Sequence, residues 1–491
     1  MDNDFILVLD LGGPEAIEMA RKLRAQRYYT EIISRSADVG LFRRKAPRGI
    51  LMVGSDAHAA AFDPRVLTLG IPVLALGGAA RTMIEACGAR SEGVLLENQA
   101  SQIAFDPCPL FDTLSDSDRY FARVDGYTLP AGFQSIASTL EGFSPAFADL
   151  DRRLYGLQFY AESNDPDGAV ILSNFAEKIC GCTPIWTVED FVEEETRYIR
   201  ERVGDGHVLM AVSGGVDSSA CALLLRRAIG DRLKCVFIDN GLLREGEAVK
   251  VVNTLEGELG LSLICVDARQ RVLGALSGVT DPVEKRRVIQ NTYMEILSEA
   301  GAGLAETDFL AQGTIYPDLL LRGASDEVYA RQFDAGRRIE PVRMLFKDES
   351  RRLGELLGLP RSVVSRQSFP NPGLAVRCAG EVTEEKLGLL RRADAIFREE
   401  VRASGQEKKL THYFAVLGAS RGLVRRDGVY KYEYACILRA AMELSATGYA
   451  VGRLPYDLLD RAAGRIIAET PGISRVCYDV SPCDNAAIEW E

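Results

Sequence analysis

The sequence predicts a protein of the α/β class, with two successive open sheets followed by a smaller α+β region. Short apolar strands alternate with amphipathic helices between residues 5 and 159. A second series of this kind starts with an apolar stretch at 208–212, which runs through a glycine turn into a helical pattern. After residue 373 strands and helices mix without regular alternation, and a chain of 491 residues has room for more than one domain.

The first domain is predicted to span residues 1–185. Its predicted strands cover residues 5–9, 49–53, 72–76 and 155–159, and its predicted helices cover 14–27 and 79–87. Two segments that contain glycine and proline follow, at 163–168 and 180–186. Because these residues interrupt regular structure, we place the first boundary after the second segment.

The second domain is predicted at 186–368 and the third at 369–491. The predicted strands of the second domain cover residues 208–212, 235–239, 262–266 and 309–312. The breaker-rich run at 369–373, Phe-Pro-Asn-Pro-Gly, marks the boundary. The third domain has predicted helices at 386–403 and 457–469 and predicted strands at 413–417 and 476–480.

Composition and charge narrow the functional classes. The net charge of −12 disfavours non-specific binding to nucleic acid or to an anionic membrane. No apolar run is long enough to span a bilayer, and the acidic start at Met1–Asp4 is not typical of a signal peptide. Eleven cysteines, several of them within apolar runs, suit reduced thiols in a cytoplasmic protein.

The glycine turn has the composition of a pyrophosphate-binding loop. It consists of Ser213, Gly214, Gly215, Val216, Asp217, Ser218 and Ser219. Paired glycines let the backbone approach an anion, and the helix that follows adds partial positive charge at its N-terminus. The serines offer hydroxyl donors, and Asp217 can hold a Mg²⁺ that bridges phosphates. An ordinary strand–helix turn is the alternative interpretation.

The turn lacks the lysine of the kinase and GTPase loop and resembles that of the N-type ATP pyrophosphatases. That resemblance implies cleavage of ATP between its α and β phosphates, transfer of the adenylate to an acceptor oxygen, and displacement of AMP by a nucleophile. Further strand-end turns fit an ATP·Mg site, namely 237–244, 311–318 and the lysine-containing 345–349, and the basic cluster Lys285–Arg287 joins them. Each alone could be a solvated face or a helix cap.

Together with the closing Ile-Glu-Trp-Glu, these motifs make the chain similar to the GMP synthetase family along nearly its whole length. The resemblance implies an amidotransferase-like open-sheet domain, an adenine-nucleotide α-hydrolase-like (N-type ATP pyrophosphatase) domain and a small α+β dimerisation domain. It implies ATP and Mg²⁺ as cofactors, amination of the purine nucleotide XMP, and a homodimer. By the same resemblance, Asp217 and Lys347 are the catalytic residues, and Arg377 and Glu489 bind the acceptor. The remaining implied ATP-binding residues are Asp239, Gln312, Thr314, Tyr316 and Asp318.

The first domain departs from this family at its reactive positions. Gly77 stands where the family has the nucleophilic cysteine, and Tyr160 stands where it has the histidine. Of the triad only Glu162 remains. Glutamine hydrolysis needs a thiolate and a base, so we predict that glutaminase activity is absent.

The acceptor side departs as well. The segment 321–338 is shorter than the family's lid and contains no histidine, and Cys483 replaces a lysine. The acceptor is therefore XMP or a related purine-like compound, and the ammonia is free or comes from a separate donor protein. Two alternatives remain open. One is sulfur transfer, with Cys378 or Cys483 on the acceptor side and a sulfur donor protein as partner; the other is a nucleotide-binding regulatory relative without turnover.

Overall fold

The computed structural model describes residues 4–13, 15–54, 61–159, 166–302, 308–320, 337–367, 369–370, 372–426, 428–443, 449–481 and 488–491. The chain divides into two compact units, Met1–Asp190 and Phe191–Glu491. The finer division of the second unit at residue 369 stays a prediction. Among the described residues, no helix has the length and apolar character needed to cross a membrane.

The first unit is organised around one mixed sheet. Its strands are β1 (Ile6–Asp10), β2 (Thr30–Ser34), β3 (Gly49–Gly54), β4 (Val73–Gly77), β5 (Arg90–Phe105), β6 (Ser117–Thr128), β7 (Gln134–Thr139), β8 (Ala146–Asp149) and β9 (Leu154–Leu157). Its helices are α1 (Glu15–Ala25), α2 (Val39–Lys45), α3 (Gly78–Ala86), α4 (Pro166–Asn174) and the start of α5 (Val188–Val203). The strand order is β2-β1-β3-β4-β9-β8-β7-β5-β6, parallel as far as β9 and antiparallel beyond.

The parallel half of this sheet is easier to predict from the sequence than the antiparallel half. Strands β3 and β4 are buried at every residue, which is why they read as continuous apolar runs. In the sixteen residues of β5 only Leu96, Ser101 and Ile103 are buried. This stretch therefore carries no period-two signal, and the antiparallel half was not predicted.

The second unit begins with a parallel sheet, as predicted. Its strands are β10 (Val208–Ala211), β11 (Leu233–Asp239), β12 (Leu263–Asp267), β13 (Phe309–Ala311) and β14 (Arg338–Ile339), in the order β12-β11-β10-β13-β14. The helices of this part are α6 (Val216–Ile229), α7 (Glu247–Val252), α8 (Arg269–Ala275), α9 (Pro282–Ala302), α10 (Tyr316–Leu320), α11 (Lys347–Leu356) and α12 (Arg361–Val364). All pairings are parallel, so the carboxyl ends of β10, β11 and β13 lie along one edge.

The rest of the second unit is α+β. It contains α13 (Glu384–Ala403), β15 (His412–Arg426), β16 (Val429–Glu443), β17 (Tyr449–Val451), α14 (Tyr456–Glu469) and β18 (Ile473–Tyr478). Helix α13 begins where the Thr383 hydroxyl accepts a hydrogen bond from the Lys386 backbone N–H. Its apolar face, including Leu387 and Phe397, belongs to a core cluster that also includes Leu209 of β10 and Val236 of β11. A single hydrophobic core thus joins the parallel sheet to the α+β part.

Candidate functional site

The glycine turn lies between β10 and α6 and requires glycine at its centre. Gly214 has φ of +73°, a backbone conformation that side chains disfavour. A Cβ atom there would also lie 2.4 Å from the Val251 side chain on α7. Gly215 is the N-cap of α6, so the backbone N–H groups of the first helical turn face the mouth of the loop. This is the geometry expected of an anion-binding turn.

The serine hydroxyls hold the loop in shape. The Ser213 and Ser218 Oγ atoms are 3.0 Å apart, and Ser218 Oγ also accepts from the Ser213 backbone N–H at 3.2 Å. The Gly215 N–H donates to Ser213 Oγ at 3.3 Å. Ser219 differs, because it is completely buried and its Oγ has no hydrogen-bond partner among the described residues. Ser213 and Ser218 are thus preorganised, whereas Ser219 lies inside the fold.

Asp217 is the centre of a short polar chain. One of its carboxylate oxygens pairs with Lys347 Nζ, and the other accepts from Ser350 Oγ at 2.7 Å. Both partners come from the first turn of α11, a helix whose start is stabilised by a 2.8 Å hydrogen bond from the Phe346 N–H to Glu349. The structure therefore brings together the two residues predicted to be catalytic. Ser350 was missed, although its i,i+3 spacing from Lys347 puts it on the same helix face.

The turn after β13 touches the loop through its backbone. A Cβ on Gly313 would lie 2.7 Å from the Ser218 Cα, so only glycine allows this approach. Gln312 precedes it and accepts from Cys221 Sγ of α6 through its carbonyl at 3.7 Å. Thr314 follows and donates from its hydroxyl to Glu340 at 3.1 Å. The close approach of Gly313 thus places Gln312 and Thr314 beside the pyrophosphate loop.

Other predicted ATP-binding residues have structural contacts of their own. Tyr316 is 4% exposed and packs edge-on against Phe346, with 5.5 Å between ring centroids. The Asp318 carboxylate accepts from the Ile315 N–H at 3.0 Å and so caps the start of α10. Asp239 ends β11, where its carboxylate accepts from the Gly241 N–H at 3.0 Å. Their roles toward ATP stay predictions.

The basic cluster at 285–287 has a different location from the one expected. Lys285 is fully buried, donates to the Cys378 carbonyl at 2.8 Å and pairs with the Glu491 carboxylate at 2.5 Å. Arg286 donates to the Glu491 backbone oxygen. We expected this cluster to belong to the ATP site. The structure instead shows Lys285 and Arg286 bound to Glu491.

The predicted acceptor residues Arg377 and Glu489 are in direct contact. The completely buried Arg377 guanidinium donates to both Glu489 oxygens at 2.7 Å, a bidentate pair that fixes its plane. It stacks over Phe414 at 3.8 Å and lies 5.3 Å from the Phe369 ring centroid. Its Nη1 atom is buried without a hydrogen-bond partner among the described residues.

Arg244 is a second guanidinium at this place, and sequence reasoning assigned it no role. It lies 4.4 Å over the same Phe369 ring, and its Nε is 3.2 Å from an Asp394 oxygen. Burial lowers the pKa of Arg244 to about 10, Asp394 opposes this, and the positive charges of Arg398 and Arg377 add to the lowering. Its Nη2 has no hydrogen-bond partner among the described residues. The signal was its position in the turn 239–244, five residues beyond the strand-end aspartate.

His412 lies in the same electrostatic neighbourhood. Burial lowers its pKa to about 4; the negative charge of Glu489 opposes this shift, and Arg377 and Arg244 reinforce it. Its Nδ1 atom is buried and unpartnered among the described residues. The imidazole is therefore neutral at physiological pH. A lone histidine in an apolar strand offered no sequence signal for this location.

In the first unit, Gly77 occupies a sharp turn between β4 and α3. Its backbone has φ of 56° and ψ of −126°, which resembles the strained strand-to-helix elbow that carries a nucleophile in other enzymes. No side chain projects from it. Tyr160 and Glu162 lie outside the described residues. The neighbouring Gln158 is locked by paired 2.9 Å hydrogen bonds to the Asp125 backbone.

Two described cysteines, Cys87 after the elbow helix and Cys378 beside Arg377, have thiols with raised pKa values. Cys87, at the end of α3, is half-buried, and burial raises its thiol pKa. Cys378 is completely buried, and burial raises its pKa as well. Thiolate is the reactive form, so both environments disfavour reaction. Cys483 lies outside the described residues.

Comparison with known proteins gives a consistent result. The sequence profile described as the GMP synthase C terminal domain matches residues 399–490. A GMP synthase (glutamine-hydrolyzing) from Heliobacterium modesticaldum is 38% identical over 512 residues, covering 100% of this chain and 99% of the relative. Proteins of the same name from Acetivibrio thermocellus and Nitratiruptor sp. are 38% and 40% identical and cover 99% or more of both chains.

A solved structure of a putative GMP synthase subunit from Thermoplasma acidophilum is also similar, at 22% identity. It covers 36% of this chain and 92% of that chain with a TM-score of 0.31, which is too low to support an inference about the fold. The curated relatives, in contrast, align with the chain from end to end at more than a third identical residues. The chain therefore belongs to the GMP synthase family.

Proposed function

We propose that this chain is an ATP-dependent ligase that adenylates an oxygen of XMP, or of a related purine-like acceptor, and releases AMP when ammonia attacks. The observation that carries the proposal is the contact of Asp217 with Lys347 and Ser350 at the mouth of the glycine turn. An anion-binding turn alone would bind many phosphates. A carboxylate and an ammonium at its mouth add groups that can bind a metal and stabilise charge during phosphoryl-bond cleavage.

The side chains suit ATP with Mg²⁺. Mg²⁺ is usually held by one or two carboxylates together with substrate phosphates, and Asp217 is a single carboxylate beside a phosphate-binding turn. Among the described residues no group of three or more His, Cys, Asp and Glu side chains could form a metal cage. Asp217 would therefore hold the ion jointly with the nucleotide, and the ion would neutralise phosphate charge. Lys347 would then turn from Asp217 to the phosphates.

The acceptor would bind where Arg377 and Arg244 flank Phe369. Nη1 of the Glu489-paired Arg377 and Nη2 of Arg244 have no hydrogen-bond partner among the described residues. Flat guanidinium and phenyl groups suit a planar purine base, and the unpartnered nitrogens suit its oxygen atoms. This supports a purine-like acceptor; Cys483 in place of a lysine leaves its phosphate recognition open.

The relatives are named as glutamine-hydrolysing, and this chain differs from that name at the elbow. Gly77 cannot form a thioester, and the thiol of Cys87 has a raised pKa. We therefore propose that ammonia comes from solution or from a separate donor protein, and that the chain acts as a homodimer. Sulfur transfer gains no support from Cys378, because its thiol is buried.

The test is an end-point assay on the full chain with ATP, Mg²⁺ and XMP. We expect AMP and pyrophosphate with ammonium chloride, and neither these products nor glutamate when glutamine replaces ammonium. Other purine nucleotides and nucleosides should be offered in parallel with ammonium. If none of these acceptors leads to AMP formation, the ligase proposal is refuted. Glutamate release that a thiol alkylator abolishes would refute the loss of glutaminase activity.

A further inference from the structure

The backbone of the pyrophosphate loop is tied to a distant arginine. Arg366, which follows α12, donates from Nη1 to the Gly214 carbonyl at 3.0 Å. Its Nη2 pairs with the Glu247 carboxylate at the start of α7. Gly214 is the loop residue with a positive φ, so Arg366 binds the loop backbone at its most conformationally restricted residue.

The same ion pair also reaches the turn that carries Arg244. The second Glu247 oxygen accepts from the Arg244 backbone N–H at 2.9 Å. The Glu247 side chain is 9% exposed and that of Arg366 is 21% exposed, so solvent screens this pair only weakly. Farther along, the Arg244 guanidinium faces Asp394, whose other oxygen accepts from the Ala415 N–H at 3.0 Å, next to the Phe414 that stacks on Arg377.

Arg366 also sits on the segment that leads into Phe369. The ring of Phe369 lies under both Arg244 and Arg377. A displacement of Arg366 would therefore move the loop carbonyl, the Arg244 turn and the Phe369 segment together. None of the sequence motifs pointed to this residue, because its partners lie 119 and 152 residues away.

We propose that Arg366 is a positioning residue that holds the pyrophosphate loop and the acceptor-binding arginines in one arrangement, so that ATP and acceptor are aligned for adenylate transfer. This inference rests on the proposed function. In this proposal Arg366 acts without contacting either substrate. It acts through the Gly214 carbonyl on one side and through Glu247 on the other. Alignment of two reactants is a large part of catalysis, and small displacements are costly.

The purely structural alternative is that Arg366 only neutralises a buried carboxylate. The two roles separate because Glu247 can be neutralised independently. In Arg366→Met, Glu247 loses its cationic partner, and both stability and substrate binding should fall. In the double variant Glu247→Gln/Arg366→Met the buried charge is gone, so stability should recover. The Gly214 carbonyl still lacks its donor, and the loop should remain misplaced.

The experiment uses the full chain and measures ATP·Mg affinity by calorimetry, melting temperature, and the KM for ATP and XMP with ammonium. We expect Arg366→Met to weaken ATP·Mg binding about tenfold and to raise both KM values. This is the effect expected when a hydrogen bond from a charged donor, here the one to the Gly214 carbonyl, is lost. Arg366→Lys, which keeps one donor, should recover part of the affinity. The double variant should regain the melting temperature without regaining ATP·Mg affinity. Arg352→Met, which removes an arginine of α11 whose side chain is 51% exposed and lies 3.5 Å from Glu355, is the matched control and should match wild type.

Three results would overturn the inference: unchanged ATP·Mg affinity in Arg366→Met, recovery of affinity together with stability in the double variant, or a raised KM for ATP with an unchanged KM for XMP. A wild-type chain that binds ATP·Mg but forms no AMP with any acceptor would defeat the proposed function. The calorimetric comparison of the variants would then still decide whether Arg366 positions the pyrophosphate loop. The claim that Arg366 also positions the acceptor would be abandoned together with the proposed ligase activity.

Discussion

The two units each contain a parallel strand that passes through a positive-φ glycine into a helix, yet only one of these turns carries reactive groups. In the first unit β4 turns at Gly77 into α3, and in the second unit β10 turns at Gly214 into α6. The second turn is followed by Asp217, which contacts Lys347 and Ser350. The first presents no side chain at its apex. A strand–turn–helix is thus a property of the fold, whereas chemistry depends on the side chains placed on it.

The first turn nevertheless remains embedded in a well-packed body. Arg81 of α3 contacts Asp125 of β6 at 3.1 Å, and Arg123 donates to both oxygens of the same carboxylate. Asp125 is 2% exposed, and its backbone holds Gln158. These contacts link the elbow helix to the segment that precedes Tyr160. If the proposed function is right, the first unit contributes structure and the second unit contributes chemistry, and the experiments below test that difference.

The largest effect is expected for Asp217→Asn. The amide keeps the shape of the side chain but loses the negative charge that pairs with Lys347 and would hold the metal. We expect AMP formation with ammonium to fall about a thousandfold, as is typical when a group that stabilises charge in the transition state is removed. Pyrophosphate release measures it. Asp231→Asn, at an exposed position after α6, is the control, and equal rates for the two variants would remove the assigned role.

The reverse pattern is expected for Asp125→Asn in the first unit. The substitution removes the buried carboxylate that pairs with Arg81, whose side chain is 10% exposed, and should cost on the order of 3 kcal/mol of stability. A melting-temperature measurement should show the loss, while AMP formation with ammonium stays near wild type below the transition. The exposed Asp151→Asn serves as control. A drop in AMP formation in the folded variant would mean that the first unit takes part in the chemistry.

The sequence predicted several strands and the pyrophosphate loop, whereas the exposed strands escaped prediction for physical reasons. Strands β1, β3 and β4 were predicted within one residue at each end, because their buried residues form uninterrupted apolar runs. Strand β15 was predicted only at 413–417, whereas it extends to Arg426 through residues that are largely exposed. Local composition identified the pyrophosphate loop, since all of its residues are consecutive.

The missed site residues share a different property. Ser350 meets Asp217 across 133 positions and Arg366 meets Gly214 across 152, so only the folded chain brings them together. Arg244 and His412 gain their character from burial beside other charges, which composition does not record. The elbow at Gly77 was located through the resemblance to the family's motif, but no local pattern indicates the Arg81–Asp125 contact.

A smaller effect, confined to acid, is expected from His412. Its pKa is about 4 in the folded protein and 6.5 in the unfolded chain, so between these values the unfolded chain binds the proton more readily. Stability should therefore fall as the pH drops from 6.5 toward 4, by up to about 3 kcal/mol, and should not depend on this group above pH 6.5. His412→Gln should flatten that part of the pH–stability curve relative to wild type. His207→Gln, at a side chain 37% exposed, is the control, and an equal flattening there would contradict the assignment.

The smallest effect, and the most direct test of the contrast, is expected for Gly77→Cys. The substitution restores a thiol at the apex of the elbow, where φ of 56° and ψ of −126° would cost a residue with a side chain about 1–3 kcal/mol. We expect a modest decrease in melting temperature and still no glutamate release from glutamine, because a thiol needs a base to become a nucleophile and Tyr160 is not one at neutral pH. Gly77→Ala, with a similar backbone cost and no thiol, is the matched control. Alkylator-sensitive glutamate release by Gly77→Cys but not by Gly77→Ala would show that the first unit has kept a base for this reaction. In that case the first turn would lack activity only because Gly77 has no thiol, and the residues around it would still be able to support the reaction.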